Sequence, residues 1–212
     1  MSRASTELAE QEAGVDGNAR LTSVNGMLLT ALLMIEGVTI LEIQQLLTLH
    51  FFIGLLLIAP VLLKTGSTAY RFMRYYSNRP GYVRRGPPHP VLRVIGPLVV
   101  LSSLAVLGTG AGLLAVKPDN ADFLLTLHQG SFVVWVVLMT VHVLGHVREA
   151  ATNTWHEVRP AAGDPAARRR LVRTVTIALV LGLGVGTAVT FTPSGSSWNT
   201  YRNNRHDGRT GR

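Results

Sequence analysis

The stretch at residues 121–147 constrains the fold of this chain most, because it is long and apolar enough to cross a bilayer as one helix. Its sequence is ADFLLTLHQGSFVVWVVLMTVHVLGHV. Three histidines interrupt the apolar run: His128, His142 and His146. A lone histidine in a membrane helix is often only a hydrogen-bond partner for another helix. Three on one helix are harder to explain by packing, and intramembrane ionisable residues are functional candidates by default.

Two of these histidines share a face of the predicted helix. His128 and His142 are fourteen residues apart. At about 100° and about 1.5 Å per residue, they lie within about 40° of one another and about 21 Å apart along the axis. Neutral imidazole is the commonest metal ligand in proteins. The spacing therefore predicts a helix that holds two stacked haems, provided that other spans supply the opposite ligands.

Composition narrows the chemistry and the surroundings. The chain has 212 residues, of which 47% are hydrophobic, and these are gathered into blocks of the length of a membrane span. It contains no cysteine, which excludes disulfides, iron–sulfur clusters, thiolate-ligated haem and covalent c-type haem attachment. The net charge is +8, but the basic residues cluster beside apolar blocks. That pattern is typical of membrane topology, so membrane lipid is the expected neighbour and nucleic acid is not.

The apolar blocks predict an all-α fold, a polytopic membrane bundle of five transmembrane helices. Residues 1–20 are expected to form a disordered cytoplasmic tail, residues 21–192 the transmembrane bundle, and residues 193–212 a disordered polar tail. The predicted spans are 21–43, 46–63, 91–116, 121–147 and 172–191.

Charge in the loops predicts the orientation of the bundle. From Lys64 to Arg93 there are seven basic residues and no acidic one, and the loop after the fourth span is also rich in arginine. An excess of Lys and Arg in short loops marks the cytoplasmic side. We therefore expect a multi-pass protein of the plasma membrane with a cytoplasmic N-terminus. The second and fourth spans then both begin outside and run inward.

His50 is the candidate partner of His128. It lies about four residues into the second span, and His128 lies about six residues into the fourth, so both are expected at the same depth near the outer face. Two imidazoles at matched depth on neighbouring helices can ligate one haem from opposite sides. In the first span, Glu36 has two interpretations: a proton-handling or quinone-side carboxyl, or a neutral group hydrogen-bonded within the bundle. The second is favoured, because a charge at that depth is costly.

Together these residues resemble a known group. The segments LHFFIGLLLIAP and LHQGSFVVWVVLMTVH are similar to those of the bacterial membrane-bound cytochrome b superfamily, which includes haem-carrying subunits of hydrogenases and formate dehydrogenases and related small membrane cytochromes. The resemblance covers the second to fourth spans, about half of the chain, and consists mainly of the histidine spacing. It implies that His50 and His128 ligate an outer haem b, and that His142 forms one side of a second, inner haem.

The inner site departs from that pattern. Lys64 stands fourteen residues after His50, where a paired histidine is expected, and a protonated lysine has no lone pair for iron. Two alternatives remain open. Either His89 in the cytoplasmic loop serves as the partner of His142, or His146 replaces His142 as the ligand from the fourth span.

The sequence therefore favours a b-type cytochrome that carries electrons across or within the membrane, as a subunit or partner of a redox enzyme or of quinone. No dinucleotide fingerprint is present, and the chain is too small for a flavin or nicotinamide domain, so substrate chemistry is expected in a partner. A second hypothesis is a non-redox protein, either a transporter subunit or an anchoring or assembly factor, whose histidines make interhelical contacts.

Overall fold

The computed structural model describes the backbone of residues 3–84, 90–159 and 167–210, and the side chains of residues 13–84, 93–159 and 167–204. Within these residues the chain is helical and contains no strand. The α-helices are α1 (Arg3–Leu41), α2 (Ile43–Tyr76), α3 (Pro80–Arg84), α4 (Pro90–Ala115), α5 (Asp122–Val158), α6 (Ala167–Phe191) and α7 (Ser196–Thr210), and two short 3-10 turns cover Pro118–Asn120 and Thr192–Gly195.

Five stretches of helix are long and apolar enough to cross a membrane, which confirms the predicted five-span helical bundle. Large apolar side chains cover much of their outer surface, and Leu41, Phe123 and Leu144 are 83%, 78% and 72% exposed. A surface of this kind suits lipid and not water. The spans are Ala13–Leu41, Ile43–Tyr76, Arg93–Ala115, Asp122–Val158 and Ala167–Asn204.

Both segments predicted to be tails contain helix. Helix α1 begins at Arg3, within the segment 1–20 that was predicted to be a cytoplasmic tail. Its first turns are rich in Ala, Glu and Gln, and extending an existing helix is much easier than starting one. At the other end, α7 occupies part of the segment expected to be a disordered polar tail. Trp198 anchors it, because its Nε1 donates a hydrogen bond to the Leu113 carbonyl at 2.8 Å.

Four of the spans form a ring. Helix α1 packs against α2 and α5, and α4 also packs against α2 and α5, so that α2 and α5 lie on a diagonal of the bundle. Helix α6 packs outside this ring, against α2. The end that carries Glu42, the Pro118–Asn120 turn and α7 is called the outer end, after the predicted topology, and the opposite end the inner end. Metal and cofactor sites of four-helix bundles are built from side chains that face one another across such a ring.

Pro60 shapes the contact between α2 and α6. Proline has no N–H, so the Leu56 carbonyl lacks its usual partner one turn later. A Cβ on Gly184 would lie 2.6 Å from that oxygen, and the glycine therefore lets α6 approach α2 closely. On the other side of α2, Asn25 Nδ2 donates a hydrogen bond to the Pro60 carbonyl at 2.8 Å. These contacts hold α2 in a fixed position between α1 and α6.

A buried carboxylate fastens the inner end of the bundle. Glu157 of α5 accepts two hydrogen bonds from Arg173 of α6, from Nε at 2.7 Å and from Nη2 at 2.8 Å. Arg20 of α1 lies 3.5 Å from the same carboxylate. This forked pairing satisfies both carboxylate oxygens and ties three helices together.

Candidate metal centre

The fold brings His50 of α2 and His128 of α5 together near the outer end. Their ring centroids are 6.3 Å apart and the ring planes make an angle of 71°. Since α2 and α5 lie on a diagonal, the two side chains meet in the space between α1 and α4. The sequence predicts their common depth, and the structure adds that the rings are neighbours.

Two residues near the outer end of α1 hold the His50 ring. The Nδ1 atom of His50 lies 2.9 Å from Glu36 Oε1 and 3.1 Å from Thr39 Oγ1. The Thr39 hydroxyl is also within hydrogen-bond distance of the Glu36 carbonyl, at 2.7 Å, and of Glu36 Oε2, at 3.1 Å. Both residues are buried. A carboxylate oxygen accepts hydrogen bonds, so this arrangement places the proton of a neutral His50 on Nδ1 and the lone pair on Nε2.

Helix α4 holds the His128 ring in a comparable way. Its Nδ1 lies 3.1 Å from the Val106 carbonyl oxygen and 3.1 Å from Thr109 Oγ1. A carbonyl can only accept, so Nδ1 must donate, and the Nε2 lone pair of His128 is free for another partner. Within the described part of the chain, neither His50 nor His128 uses its Nε2 in a hydrogen bond.

Gly110 makes room for the His128 ring. A Cβ at this position would lie 2.9 Å from His128 Cε1, closer than real Cβ contacts come. The glycine on α4 therefore allows the imidazole to lie directly against the helix backbone. Gly108, two residues earlier on α4, has no such neighbour within 4 Å.

The separation of the two rings is the one expected for two imidazoles that share one metal. Metal–imidazole bonds of about 2.0–2.1 Å place two rings on opposite sides of one metal with centroids about 6.4 Å apart. The observed separation is 6.3 Å. Metal-ligating histidines almost always donate their second nitrogen to a carboxylate, carbonyl or water, as both rings do here. No group of three or more His, Cys, Asp or Glu side chains that could hold a metal ion occurs among the described residues. A pair of imidazoles alone suits a metal whose other positions are filled by its own macrocycle.

The outer end of α2 is covered by the segment after α6. A Cβ on Gly195 would lie 2.5 Å from the ring of Phe51, the residue next to His50. One turn later, Asn199 Nδ2 donates a hydrogen bond to Thr48 Oγ1 at 3.0 Å. The segment after α6 therefore packs over the turn of α2 that carries His50.

The inner histidines are arranged differently. His142 and His146 both belong to α5, and their ring centroids are 4.8 Å apart. His142 Nδ1 is buried without a hydrogen-bond partner, and His146 Nδ1 lies 4.0 Å from Glu149 Oε2. Among the described residues, no histidine from another helix stands opposite them. The predicted alternative partner, His89, lies outside the described residues.

Lys64 occupies the inner part of α2 where the sequence pattern expects a histidine. Its Nζ donates a hydrogen bond to the Thr22 carbonyl of α1 at 2.8 Å. A Cβ on Gly26 would lie 3.0 Å from the same atom, so the ammonium fits against a glycine. Lys64 therefore joins α2 to α1 by a hydrogen bond, and as a protonated amine it supplies no ligand.

Sequence reasoning missed the link between Glu36 and His50. This contact could be predicted from depth in the membrane. Glu36 lies six residues before the corner at Glu42, and His50 lies eight residues after that corner. In two antiparallel helices, residues equally far from the connecting turn lie at similar depth.

Comparisons of the chain with protein-family models, with curated proteins and with solved structures found no match. The resemblance to the cytochrome b superfamily therefore stays a prediction that depends on the histidine pattern.

Proposed function

We propose that this protein is a membrane b-type cytochrome that transfers electrons through a haem b held by His50 and His128. One observation carries the proposal: two imidazoles from diagonal helices lie 6.3 Å apart, each with Nδ1 hydrogen-bonded to a neighbouring helix. Each ring thus has its Nε2 lone pair available for iron.

The residues around the pair have defined tasks in this proposal. Glu36 and the Val106 carbonyl fix the tautomer and the orientation of the two rings. Gly110 lets one ring lie against α4, and Gly195 packs against Phe51, the neighbour of the other ring in the sequence. When bound, the haem iron supplies one-electron redox chemistry. Two protein ligands leave no metal position for a substrate, which favours electron transfer over catalysis.

The proposal includes the surroundings of the protein. We place the chain in the plasma membrane with its N-terminus in the cytoplasm, because the connection from α2 to α4 is strongly basic and the short connection before α5 is not. The electron partners would be a redox-enzyme subunit or quinone, because the chain carries no dinucleotide fingerprint.

A second function is favoured by the same hydrogen bonds. His50 joins α2 to α1, and His128 joins α5 to α4, so both rings also act as interhelical contacts. This supports a non-redox transporter subunit, or an anchoring or assembly factor, with structural histidines. It does not explain why, among the described residues, neither ring uses its Nε2 in a hydrogen bond.

An optical spectrum of the purified protein separates the two functions. We expect the reduced-minus-oxidised spectrum of a b-type haem, and we expect His50→Ala and His128→Ala each to lose most of it. His156→Ala is the matched control, because His156 is exposed on α5. Circular dichroism and gel filtration establish that each variant is folded. Full haem content in both single variants, or a folded parent protein that binds no haem, would contradict the proposal.

A further inference from the structure

We infer that Glu36 is a positioning residue for His50, and that its carboxylate lowers the midpoint potential of the haem. The inference depends on the proposed function, since it concerns the iron that His50 would hold. It goes beyond the ligands themselves, because Glu36 does not contact the iron.

The contact geometry supports a positioning role. Glu36 Oε1 receives the Nδ1–H of His50 at 2.9 Å, and Oε2 lies 3.1 Å from the Thr39 hydroxyl. The single Thr39 proton lies between Oε2 and the Glu36 carbonyl, which is closer at 2.7 Å, and Thr39 is completely buried. A carboxylate, an imidazole and a metal in series orient the imidazole and raise its basicity as a ligand.

The opposite ligand has no such charge beside it. His128 donates to the neutral Val106 carbonyl and lies beside the neutral Thr109 hydroxyl. Only His50 donates its hydrogen bond to a carboxylate. This is the difference between the two ligands that we expect to affect the midpoint potential.

Few other charges lie at the same depth. Residues 21–41 contain Glu36 as their only acidic or basic residue, and the membrane segments 43–63, 94–115, 123–147 and 174–191 contain no Asp, Glu, Lys or Arg. A carboxylate inside the membrane is costly, and its field is weakly screened there. We take Glu36 as a carboxylate, and not as the neutral group favoured from the sequence alone, because a hydrogen bond from His50 Nδ1 and the positive charge of a bound iron stabilise the charged form. Glu36 is then the main fixed charge that acts on the pair.

The sign of the effect follows from the charge on the iron. The ferric site carries one more positive charge than the ferrous site, so a nearby negative charge stabilises the ferric form and lowers the potential. Glutamine keeps the shape of Glu36 and an acceptor oxygen for the His50 Nδ1–H, but it lacks the charge. Glu36→Gln therefore separates the effect of charge from the effect of the hydrogen bond.

The test is a spectroelectrochemical titration of the purified protein at one fixed pH. We expect Glu36→Gln to retain haem and to raise the midpoint potential by at least 59 mV, a tenfold shift toward the ferrous form for one electron. The matched control is Glu42→Gln, because Glu42 is an exposed carboxylate just beyond the outer end of α1. We expect a much smaller shift there. Equal potentials for the two variants would overturn the inference and leave the proposed function intact.

If a variant loses its haem during purification, a second measurement replaces the titration of the potential. Ferric haem b and dithionite-reduced haem b are titrated separately into haem-free protein. We expect Glu36→Gln to weaken ferric binding at least tenfold more than ferrous binding, and equal weakening of the two would overturn the inference. A parent protein that binds neither form of haem would overturn the proposed function, and this inference with it.

Discussion

The outer and inner ends of the bundle present histidines in two different ways. At the outer end, His50 and His128 come from diagonal helices, and each is oriented by a hydrogen bond to a third or fourth helix. At the inner end, His142 and His146 lie one turn apart on the same helix, and His142 Nδ1 has no hydrogen-bond partner. The sequence spacing alone makes His128 and His142 look equivalent. The difference shows that a ligand pair requires opposed helices and an orienting partner, not only a shared helical face.

Among substitutions that leave both outer histidines in place, a large effect is expected from filling the space beside His128. Gly110→Ala adds a Cβ that would lie 2.9 Å from His128 Cε1, so the ring or the helix must move. Overpacking of this kind costs about 1–3 kcal/mol, and we expect haem to bind about tenfold more weakly, since tenfold corresponds to about 1.4 kcal/mol. Haem titration into the haem-free protein measures the change.

The control for that substitution lies on the same helix. Gly108→Ala adds a Cβ with no heavy atom of a neighbouring group within 4 Å, so it should leave haem binding unchanged. If the two alanine variants bound haem equally well, the close approach of His128 to α4 would not matter for the outer site.

The smallest effect is expected at the inner end. His142→Ala removes an imidazole that has no opposed histidine among the described residues, so the haem content should stay at about one per chain. Haem extraction with protein quantification gives the ratio. A ratio near two that falls to about one in this variant would establish a second, inner haem, with His89 as the candidate opposite ligand.

Much of the bundle could be predicted from hydropathy, and so could the depth of the outer pair. Spans of about 20 apolar residues fix the number of helices, and the rise per residue fixes the depth of His50 and His128. The sequence does not specify which helices are diagonal or how each is rotated, because these depend on contacts such as that of Gly184 with the Leu56 carbonyl.

The partners of the histidines could be predicted less well than their depth. The sequence suggests a hydrogen bond for Glu36, but not that its partner is His50. The helical residues within the two predicted tails could not be predicted for a related reason. Polar composition indicates solvent exposure, whereas α7 is held by single anchors such as Trp198 that composition does not reveal.

Ligand replacement tests the central claim most directly, namely that His50 and His128 are the axial ligands of one haem. His50→Gly and His128→Gly each open a space of the size of an imidazole ring. We expect each variant to lose the low-spin reduced haem spectrum and to regain most of it on addition of millimolar free imidazole, while His156→Gly, at an exposed position of α5, behaves as the parent protein. Retention of the complete parent spectrum by both glycine variants without imidazole would contradict the account.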